Sequence, residues 1–309
     1  MRSLCFVFLI ALILGCGTEE KETATKGRLH IFIPESIAPV IIDEVHEFLN
    51  LYQANGANIT DTIVSAETAV RRFVRDTGRI VFLPRPLTQA EKEQVKNISA
   101  DLSELIVAYD GIVAVVHAEN KTAKMTTMEI QKILSGTITR WEQLANSRPM
   151  KGIMKIYCQD SSDVTEYLKQ RFVSHTGILT KFTRTRSDIQ TFRCVEKDPL
   201  AIGFAALGWI DSAKSTAIIV NLGGTGEDTD TTFTAPAETL GNFFSPHPAN
   251  IYRNYYPLKR AIYMYTTGRI DLAAGFGTYV ATSEGQKLFL KYGLLPGTQK
   301  IKLKSDRTE

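Results

Sequence analysis

The sequence predicts an α/β fold, and two observations carry that prediction. Short apolar runs rich in β-branched residues alternate along the chain with stretches whose apolar positions recur at helical spacing, the rhythm of βαβ units. Hydrophobic residues make up 44% and charged residues 22% of the 309, the proportions of a chain that buries a core.

The elements follow in order. Leu29 to Ile33 reads as a strand, and Ile37 to Tyr52 as a helix because Ile37, Ile41, Val45, Phe48 and Leu49 share one face. Ile59 to Ile63 is a strand, Glu67 to Arg75 a helix and Ile80 to Leu83 a strand, and a further helix opens at Ala90 to Lys96. Glu104 to His117 contains two apolar runs broken at Asp110-Gly111. That break suits either a crossover between two lobes or a turn joining two strands. Thr127 to Leu134 is helical, and Ile138 to Leu144 contains Trp141. Met154 to Tyr157 is a strand, Val164 to Val173 and Asp188 to Lys197 are helices, and Ala201 to Phe204 is a strand. Leu222 to Pro248, rich in Gly, Thr and Pro, reads as loops. Ala261 to Thr266 is a strand and Leu272 to Tyr292 holds one or two helices.

The N-terminus has a different character. Arg2 precedes an apolar run from Leu4 to Leu14, which is too short to span a bilayer and has the proportions of a secretory leader. Gly15 before Cys16 is expected to form a lipobox, which makes residues 1–15 a lipoprotein signal peptide and Cys16 the lipidated first residue of the mature chain. An ordinary signal peptide with an incidental cysteine is the alternative. Gly17 to Lys26 is small, polar and charged, so residues 16–27 read as a flexible tether. The protein is thus expected outside the cytoplasm, anchored to the cell envelope in the periplasm or at the surface.

Charge and cysteine usage exclude several function classes. The formal net charge is +3, and loss of Arg2 leaves 35 Lys and Arg against 33 Asp and Glu, too even a balance for a nucleic-acid binder. Of four cysteines, Cys5 leaves with the leader and Cys16 carries lipid, so Cys158 and Cys194 remain, either paired or as two thiols. No GxSxG, HExxH, P-loop or GxGxxG motif is present, and the five histidines do not pair at metal-ligand spacing. No enzyme, cofactor or metal site is expected.

Two places carry a chemical argument. Pro34-Glu35-Ser36-Ile37 stands at one helix start, and Asp160-Ser161-Ser162-Asp163-Val164-Thr165 at another. A helix N-terminus offers unpaired N–H groups and partial positive charge, and hydroxyls add donors, so two such ends facing across a cleft would bind a small anion. Ser and Asp before a helix also serve as ordinary N-caps.

From about Leu29 to Leu303 the chain resembles the phosphate-binding component of the phosphate ABC importer, the PstS-like family. The resemblance rests on ordered stretches: Val107 to Val116 (VAYDGIVAVV), Ile130 to Trp141 (IQKILSGTITRW), Pro199 to Phe204 (PLAIGF), Tyr256 to Arg260 (YPLKR), Gly275 to Val280 (GFGTYV), Ser283 to Gln286 (SEGQ) and Gly293 to Pro296 (GLLP). It implies a type II periplasmic-binding-protein fold, with lobe 1 formed by residues 28–108 and 258–305, lobe 2 by 109–257, and a ligand cleft between them. It also implies a lipid-anchored receptor that captures phosphate or a similar oxyanion and delivers it to an ABC importer permease. The alternative is a non-transport envelope protein that uses the scaffold for sensing or protein contact.

By that resemblance the ligand-binding residues are Ser36 and Ile37 at the first helix start, Arg85 after the third strand, and Ser161, Ser162, Asp163 and Thr165 at the second helix start. The chain departs from the family pattern where Glu35 neighbours Ser36, where Pro84 replaces a Ser or Asp, and where Gln159 stands in place of an arginine. Each change removes a donor or adds negative charge, which weakens a site for a dehydrated dianion.

Overall fold

A single long strand, Leu102–Val116, passes through both halves of the molecule and organises everything around it. The computed structural model describes residues 21–75, 79–97, 101–146, 150–173, 181–225, 233–268 and 270–299. The expected leader and Cys16 lie outside the described residues. Within the expected tether, Thr23 pairs with Lys26, and the Glu22 carboxylate accepts hydrogen bonds from Arg79 and from the Arg28 N–H, so this stretch lies against the folded body.

The first half comprises β1 (Gly27–Pro34), a 3-10 turn at Glu35–Ile37, α1 (Ala38–Tyr52), β2 (Ala57–Val64), α2 (Ala66–Arg75), β3 (Ile80–Leu83) and α3 (Gln89–Lys96). The long strand is β4. The second half follows with β5 (Lys124–Thr126), α4 (Thr127–Leu134), β6 (Lys155–Gln159), α5 (Asp163–Phe172), β7 (Thr183–Thr185), α6 (Asp188–Val195) and β8 (Ala201–Ala206). It ends with α7 (Ile210–Ala213), β9 (Ile218–Ile219), β10 (Asn221–Gly223) and α8 (Pro248–Tyr252). The chain returns to the first half through β11 (Lys259–Thr267), α9 (Leu272–Ala281), α10 (Ser283–Lys291) and β12 (Leu295–Pro296).

The main sheet runs β3-β11-β4-β8-β6-β7, with β12 and β9 also on β4, while β1 and β2 form a separate parallel pair. Residues 102–111 of β4 pair antiparallel with β11, and residues 112–116 pair antiparallel with β8. The strand therefore changes partner at Asp110-Gly111. The sequence left this break open between a crossover and a turn; it is a crossover within one unbroken strand. Gly and Asp interrupt the apolar run without ending the extended backbone.

Each half carries its own core on both faces of its sheet. Ile31, Ile41, Phe48, Phe82, Phe276 and Phe289 fill one side of lobe 1, and Val70, Phe73, Val81, Leu83 and Tyr265 the other. In lobe 2, β4 sends Ile112, Ala114 and Val116 to one side and Val113 and Val115 to the other, the period-two alternation of a strand buried on both faces. Trp141 is fully buried there and donates its indole N–H to the Leu200 carbonyl at 2.9 Å, which satisfies a polar atom that burial would otherwise orphan. Gly203 on β8 lets α6 approach, since a Cβ there would meet Val195 at 2.7 Å and Thr191 at 2.9 Å.

Sequence and structure agree on most elements, with boundaries shifted by one to three residues. The predicted helix from Ile37 begins instead as a 3-10 turn, with Pro39 in the first turn of α1 where its missing N–H costs no helical bond. Short elements such as β5, β7, β9 and α7 were not foreseen, because two to four residues show no period. Cys158 on β6 is buried and Cys194 on α6 half-buried, and both are free thiols. Burial pushes the Cys158 thiol up to about 12, so it stays protonated and unreactive.

Glu44 is the exception to the apolar face of α1. It is fully buried, neither carboxylate oxygen has a partner, and burial, reinforced by Asp43 and Glu47, pushes its pKa to about 9. The folded protein thus holds a proton that the unfolded chain releases near 4.5. Stability from this group is fully present below that value and is lost as pH rises from there through about 9. The cost at pH 7 is on the order of 3 kcal/mol. Glu44→Gln is expected to melt higher than the parent at pH 8 and to flatten the dependence of melting temperature on pH between 5 and 9, as read by calorimetry.

Candidate functional site

The two passages between the lobes lie side by side. Asp110 on β4 and Arg260 on β11 are direct partners in the antiparallel register, so their side chains meet where both strands leave lobe 1. Arg260 donates to Asp110 Oδ2 from Nε at 3.1 Å and from Nη2 at 2.8 Å. Both side chains are almost wholly buried, at 4% and 1% exposure. Burial works against the charge of the guanidinium, but Asp163 and Asp110 outweigh it and hold Arg260 above its ordinary pKa. Burial pushes the Asp110 carboxyl up while Arg260 opposes. The backbone is tied at the same point: Ile112 N–H donates to the Leu258 carbonyl and the Tyr256 hydroxyl to the Ile112 carbonyl, each at 2.8 Å.

The guanidinium also reaches both lobes. Nη1 donates to Asp163 Oδ2 at 2.7 Å, and Nη2 meets Ser36 Oγ at 2.9 Å. The Ser36 hydroxyl in turn donates to Asp163 Oδ2. Ser36 sits in the 3-10 turn leading into α1, and Asp163 is the first residue of α5 behind the N-cap Ser162. Two helix starts singled out from sequence are therefore brought together across the lobes. They meet through a carboxylate that satisfies the donors, not as two sets of free donors.

A second acidic contact stands beside it. Glu35 Oε1 accepts from the backbone N–H of Asp188 at the start of α6, at 3.2 Å, and its carbonyl accepts from the Trp209 indole at 2.8 Å. Asp188 Oδ2 accepts from the Ala206 N–H at 2.8 Å. The remaining oxygens, Glu35 Oε2 and Asp188 Oδ1, are buried without partners. Burial raises the Glu35 pKa to about 7, with Asp163 adding to it and Arg260 opposing. Burial also raises Asp188 well above its ordinary value, with the charge of Glu35 adding. Both carboxyls favour the neutral form.

Between the lobes opens a cavity of roughly 520 Å³. Lobe 1 lines it with Ser65, Ala66 and Glu67 at the start of α2 and with Pro84 and Arg85 after β3. Lobe 2 lines it with Ser161 and Ser162 before α5 and with Asp163, Glu166, Tyr167 and Gln170 on that helix. Asp163 thus stands with one side to the cavity and the other to Arg260.

The predicted residues divide accordingly. Ser36, Ser162 and Asp163 come together at the crossover or its mouth. Ser161 is exposed on the cavity wall in a left-handed conformation, φ 53°. The Ile37 side chain is buried in the lobe 1 core, which leaves its main chain alone for a ligand. Ser162 Oγ accepts from the Thr165 N–H and donates to the Gln159 carbonyl, and Thr165 Oγ1 donates to the same carbonyl at 2.6 Å, so these hydroxyls cap α5 and close its loop. Arg85 lines the cavity but is held by a two-point ion pair to Glu91, both contacts 2.8 Å, the carboxylate that also closes the capping box of α3.

Sequence reasoning missed Arg260, Asp110, Asp188 and Ser65 as site residues. Signals existed for two of them. Asp110 interrupts an otherwise apolar strand, which a buried strand tolerates when the charge has a partner. Ser65 precedes α2 as Ser162 precedes α5, and its Oγ accepts from the Thr68 N–H at 3.2 Å. Among the described residues no cluster of three His, Cys, Asp or Glu suited to a metal is present.

Burial of Glu35 between the lobes, opposed by the hydrogen bond from the Asp188 N–H, ties stability here to pH. Folded Glu35 keeps its proton up to about 7 while the unfolded chain releases it near 4.5. Its contribution is therefore complete below 4.5 and falls away as pH rises from there through about 7. Glu35→Gln is expected to remove that loss, which denaturant titrations of parent and variant at pH 5, 6, 7 and 8 will read as a flatter profile.

Comparison with known proteins places the chain in a superfamily. The SphX protein of Synechococcus elongatus is 23% identical over 255 residues, covering 79% of this chain and 71% of SphX. The phosphate-binding protein PstS of Borreliella burgdorferi is 21% identical over 309 residues, covering 94% of this chain and 96% of PstS. A solved substrate-binding protein with bound phosphate from Clostridium perfringens superposes with a TM-score of 0.68 at 17% identity, over 87% of this chain and 99% of that one. These likenesses bear out the two-lobe α/β fold and the expected relationship. Residues 20–284 match the PBP superfamily domain, and the chain belongs to that superfamily.

Proposed function

We propose that the protein is a lipid-anchored, extracytoplasmic solute-binding protein that captures phosphate or a related small oxyanion between its lobes and delivers it to an ABC importer permease. The observation that carries this reading is the interlobe cavity onto which the starts of α2 and α5 open from opposite sides, with Ser65 on one and Ser161 and Ser162 on the other. Helix starts present backbone N–H groups and partial positive charge to an anion, and the two faces belong to bodies joined by two adjacent strands, the arrangement for hinge closure on a ligand. The chemistry of the ligand is supported by the relative named as a phosphate-binding protein and by the solved neighbour with bound phosphate. The division into lobe 1 as 28–108 with 258–305 and lobe 2 as 109–257 is supported by two separate cores, although Leu258 and Leu295 pack into the core of the second. The anchor rests on the leader and Cys16; among the described residues no helix is long and apolar enough to cross a membrane.

A second reading, an envelope protein that uses the scaffold for sensing or protein contact, is favoured by one observation. The Arg260 guanidinium is already matched by the carboxylates of Asp110 and Asp163, which leaves it little charge to offer a dianion.

Titration calorimetry of the purified protein with sodium phosphate, and in parallel with sulfate, separates the two. Micromolar or tighter phosphate binding is the expected result, and no heat from either anion at millimolar concentration would sink the importer reading. Incorporation of labelled palmitate that is lost in Cys16→Ala is the expected sign of the anchor.

A further inference from the structure

We propose that Asp163 is a built-in anion: its carboxylate holds the lobes together without ligand, and competes with any bound oxyanion for the donors of Ser36 and Arg260. The geometry rests on one oxygen. Asp163 Oδ2 accepts from the Ser36 hydroxyl in lobe 1 and, at 2.7 Å, from Nη1 of Arg260 on the return crossover, while Asp163 itself heads α5 in lobe 2. Groups from lobe 1 and from the return crossover thus converge on a single negatively charged oxygen that belongs to lobe 2.

That is the role a captured anion plays in a two-lobe receptor, because closure is stabilised by whatever bridges donors on both sides. Here the bridge is covalently part of the chain. A tethered carboxylate loses no translational freedom when it docks, so it competes at a high effective concentration with an anion arriving from solution. Asp163 also lines the cavity, whereas Arg260 is shielded behind it at 4% exposure. An incoming anion therefore meets a carboxylate first, and reaches the guanidinium when that carboxylate swings out. Its apparent affinity falls by the fraction of time the carboxylate is out of the way.

Further interlobe contacts are made by protein groups alone. The Asp188 N–H donates to Glu35, and the Trp209 indole donates to the Glu35 carbonyl. Closure without ligand is thus supported by more than one bond. Arg260 and Arg85 are the cations that face Asp163, beside Asp110, Glu35 and Asp188, and each guanidinium is already matched by a carboxylate, so a second anion beside Asp163 is disfavoured. The competition with oxyanion rests on the function proposed above; the ligand-free closure does not.

The test compares the full protein with Asp163→Ser, which removes the carboxylate, and Asp163→Asn, which keeps the volume and removes the charge. Small-angle scattering reads lobe closure, and calorimetry reads binding of inorganic phosphate. The parent is expected to be as compact in phosphate-free buffer as with phosphate. Both variants are expected to expand without ligand and to recompact with sodium phosphate or sodium formate, and to bind phosphate about tenfold or more tighter than the parent. Folding is checked by circular dichroism, and Asp163→Asn alone decides the matter should the serine variant not fold. Variants as compact as the parent in phosphate-free buffer would overturn the proposal. Equal phosphate affinity in all three proteins would overturn the competition while leaving the oxyanion reading standing. Variants that expand and close on formate, with no protein binding phosphate, would uphold the built-in anion and remove phosphate as the ligand.

Discussion

The Arg260 guanidinium, buried where two strands pass between the lobes, is the constraint to which the rest of the molecule answers. A guanidinium cannot shed its charge, so taking it out of water is tolerable only if acceptors surround it. Asp110 supplies them from the neighbouring crossover, directly opposite in the strand register. That pairing locks β4 and β11 together at the point where each changes lobe, which makes the hinge a defined place and not a flexible linker. Removing Arg260 leaves Asp110 buried without a cation, a loss of about 3–5 kcal/mol.

The hinge pair also locates the cleft. Because β4 and β11 are adjacent, the helix starts that follow β1 and β6 approach the same point from opposite lobes. What they bring is not what an open anion site would need. Ser162 and Thr165 spend their hydroxyls on the loop of α5, Arg85 is matched to Glu91, and Asp163 takes the donors of Ser36 and Arg260. The donors left to face the cavity include the exposed Ser161, Gln170 and the N-terminal turns of α2 and α5. The guanidinium nearest the crossover is already neutralised from within.

Legibility in the sequence followed the range of the interactions. Helices such as α1 and α2 announce themselves through apolar spacing, and Ile80–Leu83 was read at its true length because a β-branched and aromatic run bounded by Arg79 and Pro84 leaves little choice. The Asp110-Gly111 break was visible as a break, yet whether it turned the chain or carried it across was settled by pairing with β11 and β8. In the site, Ser36, Ser162 and Asp163 could be singled out because helix starts have a local signature. Arg260 and Asp188 could not, since an arginine in a strand and an aspartate at a helix start carry no mark of their distant partners.

By itself the sequence determined the local matters: the alternation of strands and helices, the apolar faces that become two cores, and the hydroxyl and acidic residues at helix starts. These depend on neighbours within one or two turns. The tertiary structure alone decided which charges meet. Ser36 and Asp163 lie 127 positions apart, and Arg260 and Asp163 97 positions apart, yet they share one oxygen. The physical reason is that a buried charge finds its sign partner through the packing of whole lobes, so an acidic residue that local pattern reads as a helix cap becomes, once the lobes close, the anion in the cleft.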